Sequence, residues 1–155
     1  MPIKQLVVGV DGTAASRRAV QWSAELAAAV DAQVVALHVV VRSWLIELGA
    51  LQIDTTELLA RVRAQLTEEW TEPLRDLGVR YTTTLVEGDP ATELLAAVTT
   101  RHADLVVIGG THHSGVRDAL LGGTAHRVVN RCAIPVVVVP EPGHERPERL
   151  PPIPG

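Results

Sequence analysis

The 155-residue chain lacks cysteine pairs, a basic surplus and long apolar runs, and each absence excludes a class of protein. Its single cysteine, Cys132, cannot form an intramolecular disulfide, so the sequence favours a reducing compartment and predicts a cytoplasmic protein. Its net charge of −4, without clustered Lys and Arg, argues against a nucleic-acid partner. No apolar run reaches the roughly 18 residues that span a bilayer, so we expect no membrane segment.

The chain does have enough apolar material for one hydrophobic core. Hydrophobic residues make up 46% of the sequence, and a chain of this length suits a single domain. We expect that domain to span residues 1–140. The remaining residues, 141–155, are rich in proline and charge, and this composition predicts a disordered tail.

Two apolar runs lack the alternation of half-exposed strands, which predicts strands buried on both faces of a parallel sheet. They occupy residues 33–41 and 105–108. A β-rich run at residues 3–10 predicts the first strand, and the run at residues 134–139 predicts a fifth strand whose early Pro135 fits a sheet edge or a strand start. Arg80 to Val86 alternates instead and is rich in Thr, which suits a strand near the sheet edge. Helices are predicted after Thr13, from Asp54 to Gly78, from Pro90 onward and from about Gly123 to Arg131. Arg42 to Ile53 is apolar but irregular, and we expect a partly buried connection there.

Strands that alternate with helices predict an α/β protein with a doubly wound, five-stranded parallel sheet. If the chain winds outward through strands 1, 2 and 3 and then places strand 4 beside strand 1, the strand order is 3-2-1-4-5. A ligand crevice opens where the winding reverses, beyond the carboxyl ends of two neighbouring strands. Asp11-Gly12 and Gly109-Gly110 would face each other across that crevice.

A glycine-rich stretch follows the fourth predicted strand. Leu105 to Ile108 runs into Gly109-Gly110, and Leu120-Leu121-Gly122-Gly123-Thr124 precedes the next helix. Glycines let the backbone approach an anion closely, and the N–H groups that open a helix are unpaired donors at the positive end of its dipole. The pattern therefore predicts a phosphate cradle.

Five stretches of this sequence together resemble the universal stress protein family. They are Val8-Gly9-Val10-Asp11-Gly12-Thr13, His38-Val39-Val40, Gly88-Asp89-Pro90, the glycine-rich stretch and Cys132-Ala133-Ile134-Pro135-Val136-Val137-Val138-Val139, and the likeness covers about residues 3 to 140. The resemblance implies an adenine-nucleotide alpha-hydrolase-like fold and a homodimer formed through the last strand, Pro135 to Val139. It also implies an ATP-binding branch that carries a G-x2-G-x9-G-[ST] loop.

The loop matches that signature only in part. Gly109 and Gly122 occupy its first and third glycine positions, but His112 falls on the second and Gly123 on the hydroxyl position. A register shifted by one residue uses Gly110, His113, Gly123 and Thr124, which restores the hydroxyl and still places His in a glycine position. A His at positive φ costs on the order of 1 kcal/mol, and a lost hydroxyl bond to phosphate costs roughly 1.5–3 kcal/mol. We therefore expect weakened or altered nucleotide binding.

The resemblance and the glycine pattern together define a set of candidate ligand-binding residues. Asp11 would lie near the ribose or adenine, although it could simply close its own turn, and the end of the second strand would offer backbone groups to adenine, although those residues could simply be buried. His112 and His113 are adjacent in a loop without further ligands at metal-binding spacing, so we expect no metal site. The candidate residues are Val10, Asp11, Gly12, Val39, Val40, Ile108, Gly109, His112, His113, Gly122, Gly123 and Thr124.

The first functional hypothesis is a small cytoplasmic stress-response regulator that binds ATP, AMP or cyclic AMP, with Mg²⁺ accompanying ATP, and needs no turnover. The alternative is a dimeric interaction protein of the same fold that has lost nucleotide binding and acts on an unknown protein partner. An enzyme is disfavoured because no Walker Lys follows Gly109 and no Ser/His/Asp arrangement is legible.

Overall fold

In the computed structural model, which describes residues 2–110 and 123–143, five parallel strands form one sheet. The strand order is β3-β2-β1-β4-β5, so the predicted order is confirmed. The central strands are buried on both faces, and Leu6, Val7 and Val8 of β1 are 0% exposed. The strands are β1 (Gln5–Gly9), β2 (Gln33–Val41), β3 (Arg80–Gly88), β4 (Leu105–Gly110) and β5 (Val136–Pro140).

Helices cover both faces of the sheet. On one face, α1 and the segment from α3 to α4 pack over Leu6 and Val8. On the other, α5 and α6 pack over Val7 and Val106. None of the helices in the described ranges is long and apolar enough to cross a membrane. The helices are α1 (Ala14–Val30), α2 (Arg42–Ala50), α3 (Thr55–Ala64), α4 (Glu72–Asp76), α5 (Pro90–Thr100) and α6 (Gly123–Arg131).

The segment predicted as a partly buried connection, Arg42 to Ile53, is mostly helix α2, and none of the residues of α2 is buried. Ile46 is 65% exposed and Leu51, directly after the helix, is 71% exposed. Leu45 and Leu48 are half-buried, so the segment is buried only in small part, and the prediction missed the helix. Helix α2 follows the carboxyl end of β2, and its residues belong to neither core cluster.

The single long helix predicted from Asp54 to Gly78 is interrupted. Between α3 and α4 lies one π turn, Gln65–Glu69, in which the amide of Trp70 donates to the carbonyl of Gln65 at 2.8 Å. The segment still buries apolar side chains, since Leu66 and Leu74 are at most 1% exposed. Gly78, with φ +65, ends the segment as expected.

The absence of a side chain at Gly109 sets how closely α1 approaches β4. A Cβ built on Gly109 would lie 2.7 Å from the carbonyl carbon of Ala15 and 2.7 Å from the amide nitrogen of Ser16. Any larger residue would therefore push the first turn of α1 away from the sheet. Gly109, which the sequence predicts to approach a phosphate, thus also lies against a neighbouring helix.

Candidate functional site

A cleft of about 350 Å³ opens at the carboxyl ends of β1, β2 and β4. This is the edge at which the sequence predicted a crevice. Its volume falls within the roughly 300–1,000 Å³ of small-molecule sites. In the described part of the chain, the cleft is lined by Gly9, Val10, Asp11, Thr13, Ser16, Leu37, His38, Val39, Val41, Pro90, Leu94, Ile108, Gly109, Gly123, Thr124 and Ala125.

Three helices begin at this cleft. Thr13 caps α1, Pro90 is the first residue of α5, and Gly123 and Thr124 open α6, and all four line the cleft. The first N–H groups of a helix have no acceptor within it, and they lie at the positive end of the helix dipole. Three helix dipoles therefore point their positive ends at the cleft, whose described lining residues include neither Lys nor Arg. The backbone donors that line it belong to α6, at Gly123, Thr124 and Ala125, because Pro90 has no N–H and the amides of Thr13 and Ser16 already donate to Asp11 and Thr13.

Asp11 closes the turn between β1 and α1. One carboxylate oxygen, Oδ1, accepts from the amide of Thr13 at 2.9 Å and from its hydroxyl at 2.6 Å. The hydroxyl of Thr13 in turn accepts from the amide of Ser16 at 3.2 Å, and the hydroxyl of Ser16 accepts from the amide of Asp11 at 3.0 Å. Asp11 thus closes its own turn, as one of the two sequence-based interpretations expected, and it also lines the cleft. Among the described residues, Oδ2 has no hydrogen-bond partner.

His38 connects β2 to the end of β1. Its Nδ1 lies 2.5 Å from the carbonyl oxygen of Val10, and because a carbonyl only accepts, Nδ1 carries the hydrogen. The ring also meets Trp70 edge-on, with 5.2 Å between ring centroids and 62° between planes. His38 is therefore held on two sides while it lines the cleft.

An ion pair ties α5 to α6 beside the cleft. The Arg127 guanidinium on α6 donates bonds of 2.8 and 2.7 Å to the two carboxylate oxygens of Asp89, the cap residue of α5. Asp89 also accepts from the amide of Thr92 at 3.0 Å and from its hydroxyl at 2.7 Å. The bonds from Arg127, and then those from Thr92, hold the pKa of Asp89 well below its ordinary value of 3.8. The pair thus fixes two of the three helix starts relative to each other.

The structure brings together most of the candidate residues that it describes. Val10, Asp11, Val39, Ile108, Gly109, Gly123 and Thr124 all line the cleft. Val40 does not line it and is only 4% exposed, because side chains alternate along a strand. Gly12 lies behind the cleft, against Trp70. His112, His113 and Gly122 lie outside the described residues.

Sequence reasoning missed several lining residues. Among them are His38, Pro90 and Leu94, which were not candidate ligand-binding residues. The available clue was topological: β2 is the neighbour of β1, and α5 follows β3 at the same edge of the sheet. Residues just after parallel strands all meet there.

A family model for the universal stress protein family matches residues 2–140. The chain belongs to this family. A universal stress protein from Methanocaldococcus jannaschii is 32% identical over 152 residues, which cover 92% of this chain and 85% of that protein. A universal stress protein from Bacillus subtilis is 24% identical over 153 residues, which cover 87% of this chain and 97% of that protein.

Solved structures of the universal stress protein family share the fold. One, in complex with cAMP, matches with a TM-score of 0.70 at 26% identity, over 90% of this chain and 98% of the other. Another, from Archaeoglobus fulgidus in complex with dAMP, has a TM-score of 0.66 at 20% identity, over 90% of this chain and 99% of the other. The predicted adenine-nucleotide alpha-hydrolase-like fold is confirmed.

Asp89→Asn should separate helix capping from ion pairing. Asn caps a helix about as well as Asp, so the variant keeps the start of α5 and loses the charge that Arg127 binds. Because the folded-state pKa of Asp89 is lowered, its stabilising contribution is complete above the unfolded pKa and is lost as the pH falls through the folded value. We expect urea unfolding to show a less stable variant at neutral pH, with a difference from the unsubstituted protein that shrinks at about pH 3.

Asp54→Asn is the matched control for this experiment. Asp54 caps α3 by accepting from the amide of Thr56 at 2.9 Å, and it forms no salt bridge within the described residues. Since Asp54 has no cation to lose there, Asp54→Asn should cost less stability at neutral pH than Asp89→Asn. A difference for Asp89→Asn that stays constant from neutral to acid pH would contradict the role given to the ion pair. Since both charged side chains are partly exposed, solvent screening keeps the effect small.

Proposed function

We propose that the protein is a stress-response regulator that binds an adenine nucleotide, ATP, AMP or cyclic AMP, in the cleft. The observation that carries this proposal is the convergence of the starts of α1, α5 and α6 on one cleft at the carboxyl ends of β1, β2 and β4. Backbone donors at helix starts favour phosphate. The family members solved with cAMP and with dAMP support the choice of an adenine nucleotide.

The lining residues suggest how the nucleotide is oriented. Gly123 and Thr124 open α6 and would donate backbone N–H groups to the phosphate. Val39 and Leu94 are apolar lining residues, which suit the adenine ring, and the backbone of Val39 would form a hydrogen bond with the edge of that ring. Oδ2 of Asp11 would accept a hydrogen bond from the ribose.

We further propose that the protein binds the nucleotide without turning it over, in the reducing cytoplasm that the single Cys132 favours. Asp11 is the one carboxylate among the described lining residues, and it already holds the turn after β1. Over residues 2–110 and 123–143 there is no cluster of three or more potential metal ligands. Mg²⁺ arriving with ATP would therefore be held mainly by the phosphates.

A charge placed at the start of α6 tests the phosphate position. No described atom lies within 4 Å of a Cβ built on Gly123, so a side chain there contacts none of the described residues. A carboxylate is favourable at a helix start, so Gly123→Asp keeps α6 but repels phosphate. In calorimetric titrations, we expect Gly123→Asp to bind AMP at least about tenfold more weakly than the neutral, equal-sized Gly123→Asn.

Adenosine, which has no phosphate, serves as the control ligand and should bind both Gly123 variants equally. The proposal fails if the unsubstituted protein shows neither heat nor a thermal shift with ATP, AMP and cyclic AMP at millimolar concentration. Equal AMP affinities of the two variants would instead reject the phosphate position alone. Phosphate release from ATP above background would contradict binding without turnover.

One observation favours the alternative of an interaction protein. Helix α2 follows Val41, a residue of the cleft lining. It exposes Trp44 (40%) and Ile46 (65%), side chains that a protein partner would cover. Absence of nucleotide binding in the titrations would make this the better account.

We also propose that two copies pair through β5, over Pro135 to Val139. This strand lies at the sheet edge, where no described strand pairs with its outer side, and Val136 to Val138 are only partly buried in one chain. Light scattering should give twice the chain mass. Val137→Lys should give a monomer, because edge lysines block strand pairing, whereas Val129→Lys on α6 should not. A monomeric unsubstituted protein would contradict the proposal.

A further inference from the structure

The indole of Trp70 fills the space beside the turn after β1. Gly12 has φ +80, and a Cβ built there would lie 2.7 Å from Cζ2 and 2.8 Å from Cε2 of Trp70. Between the indole, Gly12, Val10, Ser16 and Arg17, the remaining void is only about 10 Å³, too small for more than one water. The Asp11–Gly12 turn therefore has little room to move toward the indole.

The same indole supports His38, a residue of the cleft wall. The two rings meet at 62° with centroids 5.2 Å apart, an arrangement that aromatic pairs favour. The opposite side of the imidazole bonds the carbonyl of Val10, one residue before Asp11. Trp70 thus contacts the turn directly and also supports it through His38, although Trp70 itself does not line the cleft.

The π turn before Trp70 is stabilised by specific hydrogen bonds. The hydroxyl of Thr71, which is 0% exposed, donates to the carbonyls of Leu66 and Thr67 at 2.8 and 3.1 Å. Arg75 donates to the carbonyls of Thr67 and Glu68. A π turn inserts one residue into a helix and so rotates the following side chains relative to the preceding ones. Trp70 directly follows the π turn, so its side chain is rotated relative to those of α3.

We propose that Trp70 is a positioning residue for the ligand cleft. It holds the Asp11–Gly12 turn and the ring of His38 in the arrangement that receives the ligand, and it sets ligand affinity without touching the ligand. As far as affinity is concerned, this inference rests on the proposed nucleotide function. The order that Trp70 gives to the turn is independent of any ligand.

The binding experiment compares three variants with the unsubstituted protein by calorimetric titration with AMP. Trp70→Phe keeps an aromatic ring against Gly12 and His38 and should bind within about threefold of the unsubstituted protein. Trp70→Leu stays apolar but loses the flat ring, so binding must order the turn, and we expect roughly tenfold weaker affinity. Leu74→Ala is the control, since Leu74 is 0% exposed in the same core and does not line the cleft. It should lose stability but keep its AMP affinity.

The second experiment needs no nucleotide. In ¹⁵N relaxation-dispersion spectra of the ligand-free protein, amides 10–13 should be free of exchange broadening in the unsubstituted protein and in Leu74→Ala. They should broaden in Trp70→Leu. If the unsubstituted protein binds no AMP, the proposed function fails, and this experiment still decides the role of Trp70.

Two results would overturn the inference. The first is that Trp70→Leu binds AMP as tightly as the unsubstituted protein, or that Leu74→Ala loses AMP affinity to a similar extent. The second is that amides 10–13 show no more exchange broadening in Trp70→Leu than in the unsubstituted protein.

Discussion

The bare backbone of Gly109 is the constraint on which the cleft depends. With no Cβ at this position, the first turn of α1 lies against the end of β4, where a side chain would come within 2.7 Å of the helix backbone. This contact keeps the start of α1, and with it the Asp11 turn, beside the starts of α5 and α6. Because all five strands are parallel, these helix starts share one edge of the sheet. The anion site that we propose depends on this packing and on the backbone donors of α6, since the described lining residues include neither Lys nor Arg.

The fold could be predicted from the sequence because its strongest patterns are local. Apolar runs without alternation belong to strands buried on both faces, and Leu6 to Val8 and Leu105 to Ile108 are at most 5% exposed. The start of α5 was also predictable from the sequence, since Asp89 caps it and Pro90 occupies its first turn. The strand order was predicted for one winding of the chain, outward through strands 1, 2 and 3 and back to place strand 4 beside strand 1, and the sheet has that order.

The parts that could not be predicted depend on contacts between distant residues. Composition alone could not show that α2 covers neither face of the sheet, or that Gly109 serves the approach of α1. The π turn has no periodic signature, since it needs Thr71 and Arg75 to bond its carbonyls. His38 was not a candidate ligand-binding residue, because its place in the cleft wall depends on β2 lying beside β1.

The central claim is that backbone amides at the helix starts receive the phosphate of the ligand. The most direct measurement compares ¹H–¹⁵N spectra of the protein saturated with AMP and with adenosine, so that the difference isolates the phosphate. The account predicts that the largest differences fall on amides 123–125 of α6, with smaller ones on amides 13–16 at the start of α1. Differences spread evenly over the chain, or concentrated on α2 or the β5 edge, would contradict it.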